Sequence, residues 1–510
     1  MGVFEGLLLG FETAMRPETL LYCFFGVFLG TLIGVLPGIG TLATISLLLP
    51  VTYHIAPIPA LVMLAGVWYG AQYGGSIASI LLNLPGTPSS AVVCLDGYPM
   101  TQQGRAGVAL FVTTIASFIG SMLGILALVL FTPAIAAIAL QFGPAEYFTM
   151  MLLGLVAAST IAAGTPAKGL AMVVLGLLLG TVGTDVNSGV ARFHFGFAQL
   201  RDGISLVALA MGFFGIAEVI NSVNRKTSAA IREKFTLRSM LPTRTDLRQS
   251  ALPVLRGTGV GSFFGALPGT GTSIASFMAY ALEKRVARDP SRFGKGAIEG
   301  IAAPEASNNA AAQTAFVPTL ALGIPGCATM ALMLGALIIH GIQPGPLFIS
   351  QQPEMFWGLV VSFGIGNILL VILNLPLIGV WVSILRTPYR LLYPAILIFI
   401  CIGVFSVRNN PFDIYIVALM GVMGYVLARF GFSAAPLLLG FVLGPLMEET
   451  LRRTLLLSRG DPAVFIERPI SATFLAITAV LLIWGCYGSI RSSQSRRAAM
   501  QAQAEARSAE

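Results

Sequence analysis

From Thr19 to Leu95 the chain carries no Asp, Glu, Lys or Arg, and Ala106 to Ala145 and Ala306 to Pro353 are equally uncharged. A membrane-spanning helix needs about 20 consecutive apolar residues, so each stretch holds more than one crossing and the whole chain about ten to twelve. A water-soluble fold is excluded. Soluble domains are about a quarter charged, whereas this chain is 10% charged and 56% hydrophobic, with a mean hydropathy of +0.84. The expected fold is an all-α polytopic membrane protein.

Within these apolar stretches one phrase occurs twice. Residues 30–41 read GTLIGVLPGIGT and residues 261–272 read GSFFGALPGTGT, with seven of twelve positions identical. Each half then has a second Pro-Gly break, Leu84-Pro85-Gly86-Thr87 and Ile324-Pro325-Gly326-Cys327. The first pair is offset by 231 residues (268 minus 37) and the second by 240 (325 minus 85). Two landmarks in one order at nearly one offset indicate an internal repeat. A helix break in lipid is tolerated only where the freed backbone groups find partners or line a cavity. Matched breaks in two halves are the mark of a transporter with a binding site near the bilayer midplane.

Loop charge predicts that the halves are inverted. No Lys or Arg follows the first phrase at Tyr53 to Pro59, but Lys284, Arg285, Arg288, Arg292 and Lys295 follow the second. Arg105 lies beyond the first Pro-Gly break, whereas His340 to Pro353 beyond the second has no Lys or Arg. By the positive-inside rule the halves then face opposite ways. Gly257 to Leu282, 26 uncharged residues between basic loops, is too short for two crossings. It suits a re-entrant hairpin tipped by Pro268-Gly269, or two half-helices, with a kinked single span as the alternative.

The organisation read from these signals is an interfacial N-terminal helix (1–16), a first membrane repeat (17–221), a basic cytoplasmic linker (222–256), a second repeat (257–450), a final membrane region (451–490) and a cytoplasmic tail (491–510). Phe4, Leu7, Leu8, Phe11 and Met15 recur at helical spacing in the first of these, and Glu5 and Glu12 argue against a cleaved signal peptide. The linker holds eight Lys/Arg against Glu233 and Asp246. The net charge of +8 therefore reflects cytoplasmic loops and not nucleic acid. Cys23, Cys94, Cys327, Cys401 and Cys486 show no paired spacing and read as small apolar residues.

At the breaks, Pro removes a backbone donor and Gly permits close approach of a ligand. Half-helices starting at Thr41, and at Thr272 or Ser273, would have those residues as N-caps and aim free N–H groups inward, an anion site without Arg or Lys. The candidate substrate-binding residues are Pro37, Gly38, Gly40, Thr41, Thr87, Ser89, Pro268, Gly269, Gly271, Thr272, Ser273, Asn308 and Asn309. Adjacent asparagines in an apolar segment are expensive unless paired, so Asn308 and Asn309 bind substrate or join helices. Unwound carbonyls suit a cation, and Gly75, Ser79, Gly86, Glu305 and Gly326 are the candidates for it. No Walker A, no G-x-S-x-G and no metal-ligand spacing of His54, His194 and His340 occurs. No metal is expected beyond Na⁺, and no catalytic residue. An intramembrane enzyme and a non-transporting membrane scaffold are the alternative readings.

GVLPGIG at 34–40, YGGSIASILLNLPGTPSS at 73–90, DGYP at 96–99, KGLAMVVLGLLLGTVGTD at 168–185, GALPGTGTSIASFMAYALEK at 265–284, APEASNNAAA at 303–312 and LGIPG at 322–326 resemble the large membrane subunit of the tripartite tricarboxylate transporters, the TctA-type family. The likeness runs through nearly the whole chain, with Ser307 where the family pattern leads one to expect Ala. It implies a multi-pass secondary transporter of the bacterial inner membrane. The implied partners are a small four-helix membrane subunit and a periplasmic solute-binding protein. The implied substrates are citrate, other tri- and dicarboxylates and some aromatic acids. Uptake would be driven by Na⁺ or H⁺, with no cofactor other than that ion.

Overall fold

The computed structural model describes residues 2–36, 40–161, 165–185, 188–222, 237–385 and 392–485. They form helices α1 (Val3–Ala14), α2 (Pro17–Val35), α3 (Thr41–Thr52), α4 (Pro57–Leu82), α5 (Cys94–Gln102), α6 (Ala106–Ala139), α7 (Pro144–Ile161), α8 (Pro166–Gly180), α9 (Leu206–Ala210) and α10 (Ala217–Ser222). Then follow α11 (Leu237–Met240), α12 (Arg244–Gly265), α13 (Gly271–Val286), α14 (Glu299–Thr314), α15 (Phe316–Leu322), α16 (Ala328–Ile339), α17 (Phe348–Gln351) and α18 (Pro353–Asn374). The last are α19 (Ile378–Ile384), α20 (Leu392–Arg408), α21 (Phe412–Arg429), α22 (Ala434–Leu457), α23 (Val464–Glu467) and α24 (Pro469–Gly485). Among the described residues the strands are one short hairpin, Gly183–Thr184 with Ala191–Arg192. Proline opens α2, α4, α8 and α18, where its missing N–H costs nothing.

This is a multi-pass helical membrane protein. Among the described residues α2, α6, α18, α21 and α22 are long and apolar enough to cross a bilayer, and shorter apolar helices such as α3, α8 and α16 accompany them. The chain divides into two compact units: Met1–Gln141 with Ser205–Tyr425, and Phe142–Ile204 with Val426–Glu510.

Glycine ladders organise the larger unit. Gly26, Gly30 and Gly34 of α2 meet the backbone of Met63, Val67 and Ala71 of α4. Gly257, Gly261 and Gly265 of α12 meet Ala303, Ser307 and Ala311 of α14. A methyl carbon on Gly30 would sit 2.6 Å from the Val67 carbonyl oxygen, so no larger residue fits. Small residues let helix backbones touch where lipid offers no hydrophobic drive to association. The two glycine series are offset by 231 (257 minus 26), and their partners by 240 (303 minus 63), the same offsets as the Pro-Gly landmarks. The repeat is therefore one of packing as well as of sequence.

In each ladder both residue series rise together, so α2 runs alongside α4 in the same sense, and α12 alongside α14. Four residues join α3 to α4 (Tyr53–Ala56), so α3 must carry the chain back to the end where α2 began. A longer loop, residues 287–298, joins α13 to α14. In the second half the repeated phrase is the turn between α12 and α13, and α13 runs back along α14, with Ser276 on the Pro304 carbonyl and Tyr280 beside Gly300. This is the geometry expected for Gly257 to Leu282, although α12 begins well upstream, at Arg244.

The two halves also exchange partners. α18 packs on α4, where the Tyr73 hydroxyl donates to Asn367 Oδ1 (3.1 Å). α6 packs on α14, with Gly120 and Gly124 against Ala306 and Ala310. Arg16, ahead of α2, pairs with Glu354 at the start of α18 (2.7 Å). Arg105, ahead of α6, pairs with Asp246 in the first turn of α12 (2.6 Å). Burial pushes the Asp246 carboxyl up, but hydrogen bonds from Thr243 and the Arg105 charge outweigh it and hold the group below its ordinary range.

In the smaller unit α8 lies on α22, with Gly176 against Leu437 and Gly440 against Val173. Arg192 makes a two-pronged pair with Glu448 (2.8 and 3.1 Å). Arg452 bridges Glu448 (2.6 Å) and Asp185 (3.0 Å), and Arg468 pairs with buried Glu146.

Candidate functional site

In the first half α4 ends at Asn83 in the left-handed conformation (φ 56°), and Gly86 follows against Gly34 and Gly75. Gly75 leaves room for Thr87, whose hydroxyl would lie 2.9 Å from a β-carbon there. A closed hydroxyl network results. Ser89 donates to Gln72 Oε1 (2.8 Å) and shares a hydrogen bond with Thr87 Oγ1 (3.0 Å). Ser79 donates to Ser90 Oγ (3.0 Å) and to Gly75 O (2.9 Å), and Ser90 donates to Thr87 O (2.9 Å). The candidates Gly75, Ser79, Gly86, Thr87 and Ser89 therefore come together. Pro37 and Gly38 lie outside the described residues. Gly40 precedes α3, and Thr41 is its buried first residue.

In the second half the two breaks touch. The Gly269 amide donates to Gly326 O (2.7 Å), with Gly269 at φ 86° and Gly271 at φ 64°. Pro268 directly precedes Gly269 in this turn, Thr272 is buried in the first turn of α13, and Ser273 is half-buried. The expectation that Thr41, Thr272 and Ser273 serve as N-caps is corrected. Gly40 and Thr270 hold the cap positions, because both helices begin earlier. The Thr270 hydroxyl turns back to the Phe264 and Leu267 carbonyls. α3, α13 and α16 each begin directly after a break with no side-chain cap. Each therefore places the positive end of its helix dipole at a break.

α14 supplies the third component. Glu305, Ser307, Asn308, Asn309 and Gln313 are all fully buried. Asn309 Nδ2 donates to Ser117 Oγ (2.8 Å) and Glu305 O (3.1 Å), and Ser117 donates to Glu305 Oε2 (3.2 Å). Among the described residues Glu305 Oε1, Ser307 Oγ, both polar ends of Asn308 and of Gln313, Asn309 Oδ1 and Ser121 Oγ have no hydrogen-bond partner of good geometry. Buried polar atoms are normally satisfied, so a run of orphans on one helix marks a surface built for something polar. Glu305 meets Ser117 and Asn309, and Ser76, next to Gly75 on α4, lies against its carboxyl. Gly326 stands with Gly269.

Ser117, Ser121, Gln72, Ser90 and Gln313 are missing from the sequence-derived candidates. Ser117 and Ser121 lie one helical turn apart beside Gly120 and Gly124. That spacing puts hydroxyls and glycines on one face of an otherwise apolar helix, a legible signal. Among the described residues no three of His, Cys, Asp and Glu come together as metal ligands.

The family model described as "Tripartite tricarboxylate transporter TctA family" matches residues 20–439. Two curated proteins of Agrobacterium vitis are similar. One, called an uncharacterized 52.8 kDa protein in the TAR-I ttuC' 3'region, is 49% identical over 496 residues, covering 97% of this chain and 99% of that protein. The other, an uncharacterized protein in the TAR-II ttuC' 3'region, is 56% identical over 236 residues, 46% of this chain and 98% of that protein. No solved structure matches.

Proposed function

Because the chain belongs to the tripartite tricarboxylate transporter TctA family, we propose that it is the large subunit through which tri- or dicarboxylates or related organic acids cross the bacterial inner membrane. In this reading a periplasmic binding protein delivers the acid, a small four-helix subunit accompanies the chain, and a Na⁺ or H⁺ gradient drives uptake. The observation that carries the reading is the set of uncapped helix starts behind the breaks, beside the unpartnered polar face of α14. A carboxylate at a helix N-terminus gains about 0.3–1 kcal/mol per terminus, and up to about 2 kcal/mol when partly buried. Several such contacts hold an anion without the strong grip of a buried Arg, which suits a ligand that must leave.

The same proposal makes the two halves inverted. Trp68 Nε1 donates to Ala312 O (3.1 Å), and Ser76 lies against Glu305. Numbers rise along α4 as they fall along α14, while each runs with its own hairpin helix. Loop charge supports the same arrangement.

Uptake of labelled citrate and dicarboxylates by cells carrying the three-part system tests the site. Gly269→Leu and Asn308→Ala are expected to lower uptake at least about tenfold, the scale of a misplaced binding group. Wild-type uptake in both variants would remove the proposed site.

A further inference from the structure

We propose that Glu305 is an exchangeable binding site for one monovalent cation, a proton or a sodium ion, and that its occupancy sets the geometry of Asn308 and Asn309. The proposal deepens the transport reading and rests on it for the purpose of the site, though not for the binding itself.

Glu305 is fully buried, and an isolated carboxylate removed from water costs several kcal/mol, roughly, unless it is compensated. Its surroundings hold no compensating charge. α6 presents Ser117, with Ser121 one turn on, and α4 presents Tyr73 and Ser76, while Gly261 of α12 and Ser276 of α13 meet the neighbouring Ser307 and Pro304 backbone. Tyr73, the titratable neighbour, is a neutral phenol whose proton goes to Asn367. Asp96 of α5 lies beside Gly300 toward the start of α14 and is filled by other donors, and Arg256 there is committed to Glu283 (2.6 Å). Among the described residues no Lys, Arg or His side chain lies against the carboxyl.

The hydrogen-bond inventory points the same way. Ser117 donates to Glu305 Oε2, while the Asn309 amide serves Ser117 Oγ and the Glu305 carbonyl and only grazes Oε2 at 3.5 Å. Among the described residues Oε1 accepts no hydrogen bond of good geometry, although Ser76 and Asn308 lie against the carboxyl, and Asn309 Oδ1, Asn308 Oδ1 and Nδ2 and Ser121 Oγ are likewise unpaired. The neighbourhood is rich in acceptor oxygens and short of positive charge. A proton on Oε1 neutralises the carboxylate. A sodium ion does the same and takes hard oxygen ligands of the kind present. Asn309 joins the carboxyl through Ser117 and Asn308 lies against it, so filling the site changes the polar face offered to substrate.

The test uses the full chain in lipid nanodiscs. Sodium is titrated against choline at fixed pH, reading ²²Na⁺ binding and thermal stability. Proton uptake and the infrared carboxylic-acid band are followed in parallel. The expected result is one cation per chain, lost in Glu305→Gln, which keeps the shape and can still meet Ser117. Sodium binding lost in the variant identifies Na⁺; an acid band lost in the variant, with no sodium binding, identifies H⁺. If the wild type shows neither, or the variant retains whichever is seen, the proposal is overturned. Should Glu305→Gln fail to fold, Glu305→Asp is read instead, with binding expected at least about tenfold weaker; unchanged affinity overturns the proposal. Failure of the transport reading is separate: no acid uptake by the wild-type three-part system under any gradient.

Discussion

At the scale of single residues, Asp96 shows how much one buried carboxylate can organise. Its Oδ1 accepts from the amides of Gly294 (2.9 Å), Gly296 (2.8 Å) and Ala297 (2.8 Å), and its Oδ2 from the Tyr280 hydroxyl (2.9 Å). Gly294 and Gly296 take positive φ to aim those amides. An Asp96→Ala chain leaves three amides and a phenol without this partner, and apart from exposed Gly294 each costs about 1–3 kcal/mol to the extent that it is buried. A loss of at least about 3 kcal/mol is expected, read as a lower Tm in detergent, with Asp96→Asn in between. The DGYP phrase was legible as a family mark, but its partner loop lies some 200 residues away and nothing in the sequence joins them. Asp246 makes a pH-dependent contribution. Its folded pKa lies below the ordinary value of 3.8, so the stabilisation is complete above that value and is lost as pH falls through the folded one. The Tm difference between wild type and Asp246→Asn is therefore expected to be steady near neutral pH and to shrink below about 4.

At the scale of elements, the glycine ladders were half legible. GVFLG-TLIG at 26–34 and GTGVG-SFFG at 257–265 carry glycine at every fourth position, the pattern of close helix approach. Their partners were not legible, because a helix backbone presses on a glycine whatever side chains it bears: Met63, Val67 and Ala71 on α4 have no common type. The hydroxyl network shows the same limit. Thr87 and Ser89 stood out beside Pro85-Gly86, but Gln72 sits 17 residues from Ser89 and reaches it only through the fold. The ladder gives a paired prediction on one helix. Gly259 has nothing within 4 Å, whereas Gly261 is pressed on the Ser307 backbone. Gly259→Leu is expected to leave yield and Tm near wild type. Gly261→Leu must push α12 off α14 and is expected to cost about 1–3 kcal/mol or more from overpacking, seen as a lower Tm or aggregation on size exclusion. Equal behaviour of the two would mean that the α12–α14 contact is not tight.

At the scale of the whole molecule, the repeat was legible from two landmarks and the helical class from charge alone. The division into units was not, since each unit joins two segments that lie far apart in the sequence. Sequence order sets 17–221 against 257–450, while tertiary contact groups Phe142–Ile204 with Val426–Glu510, through ion pairs such as Arg192–Glu448 that span 256 residues. The inverted arrangement is the prediction that belongs here, because it fixes which loops share a side. If α4 and α14 run oppositely, the loop ahead of α4 and the loop ahead of α14 lie on opposite membrane faces, although each follows its own Pro-Gly hairpin. Tyr53 is 44% exposed and Val286 is 49% exposed, so both accept a reporter. In a chain with the five native cysteines replaced, Tyr53→Cys is expected to react with a membrane-impermeant maleimide on spheroplasts. Val286→Cys, beside the basic loop, is expected to react only after permeabilisation. Reaction of both from one side would make the halves parallel, and would then require the two anion-facing hairpins to open to the same compartment, incompatible with alternating access built on their exchange.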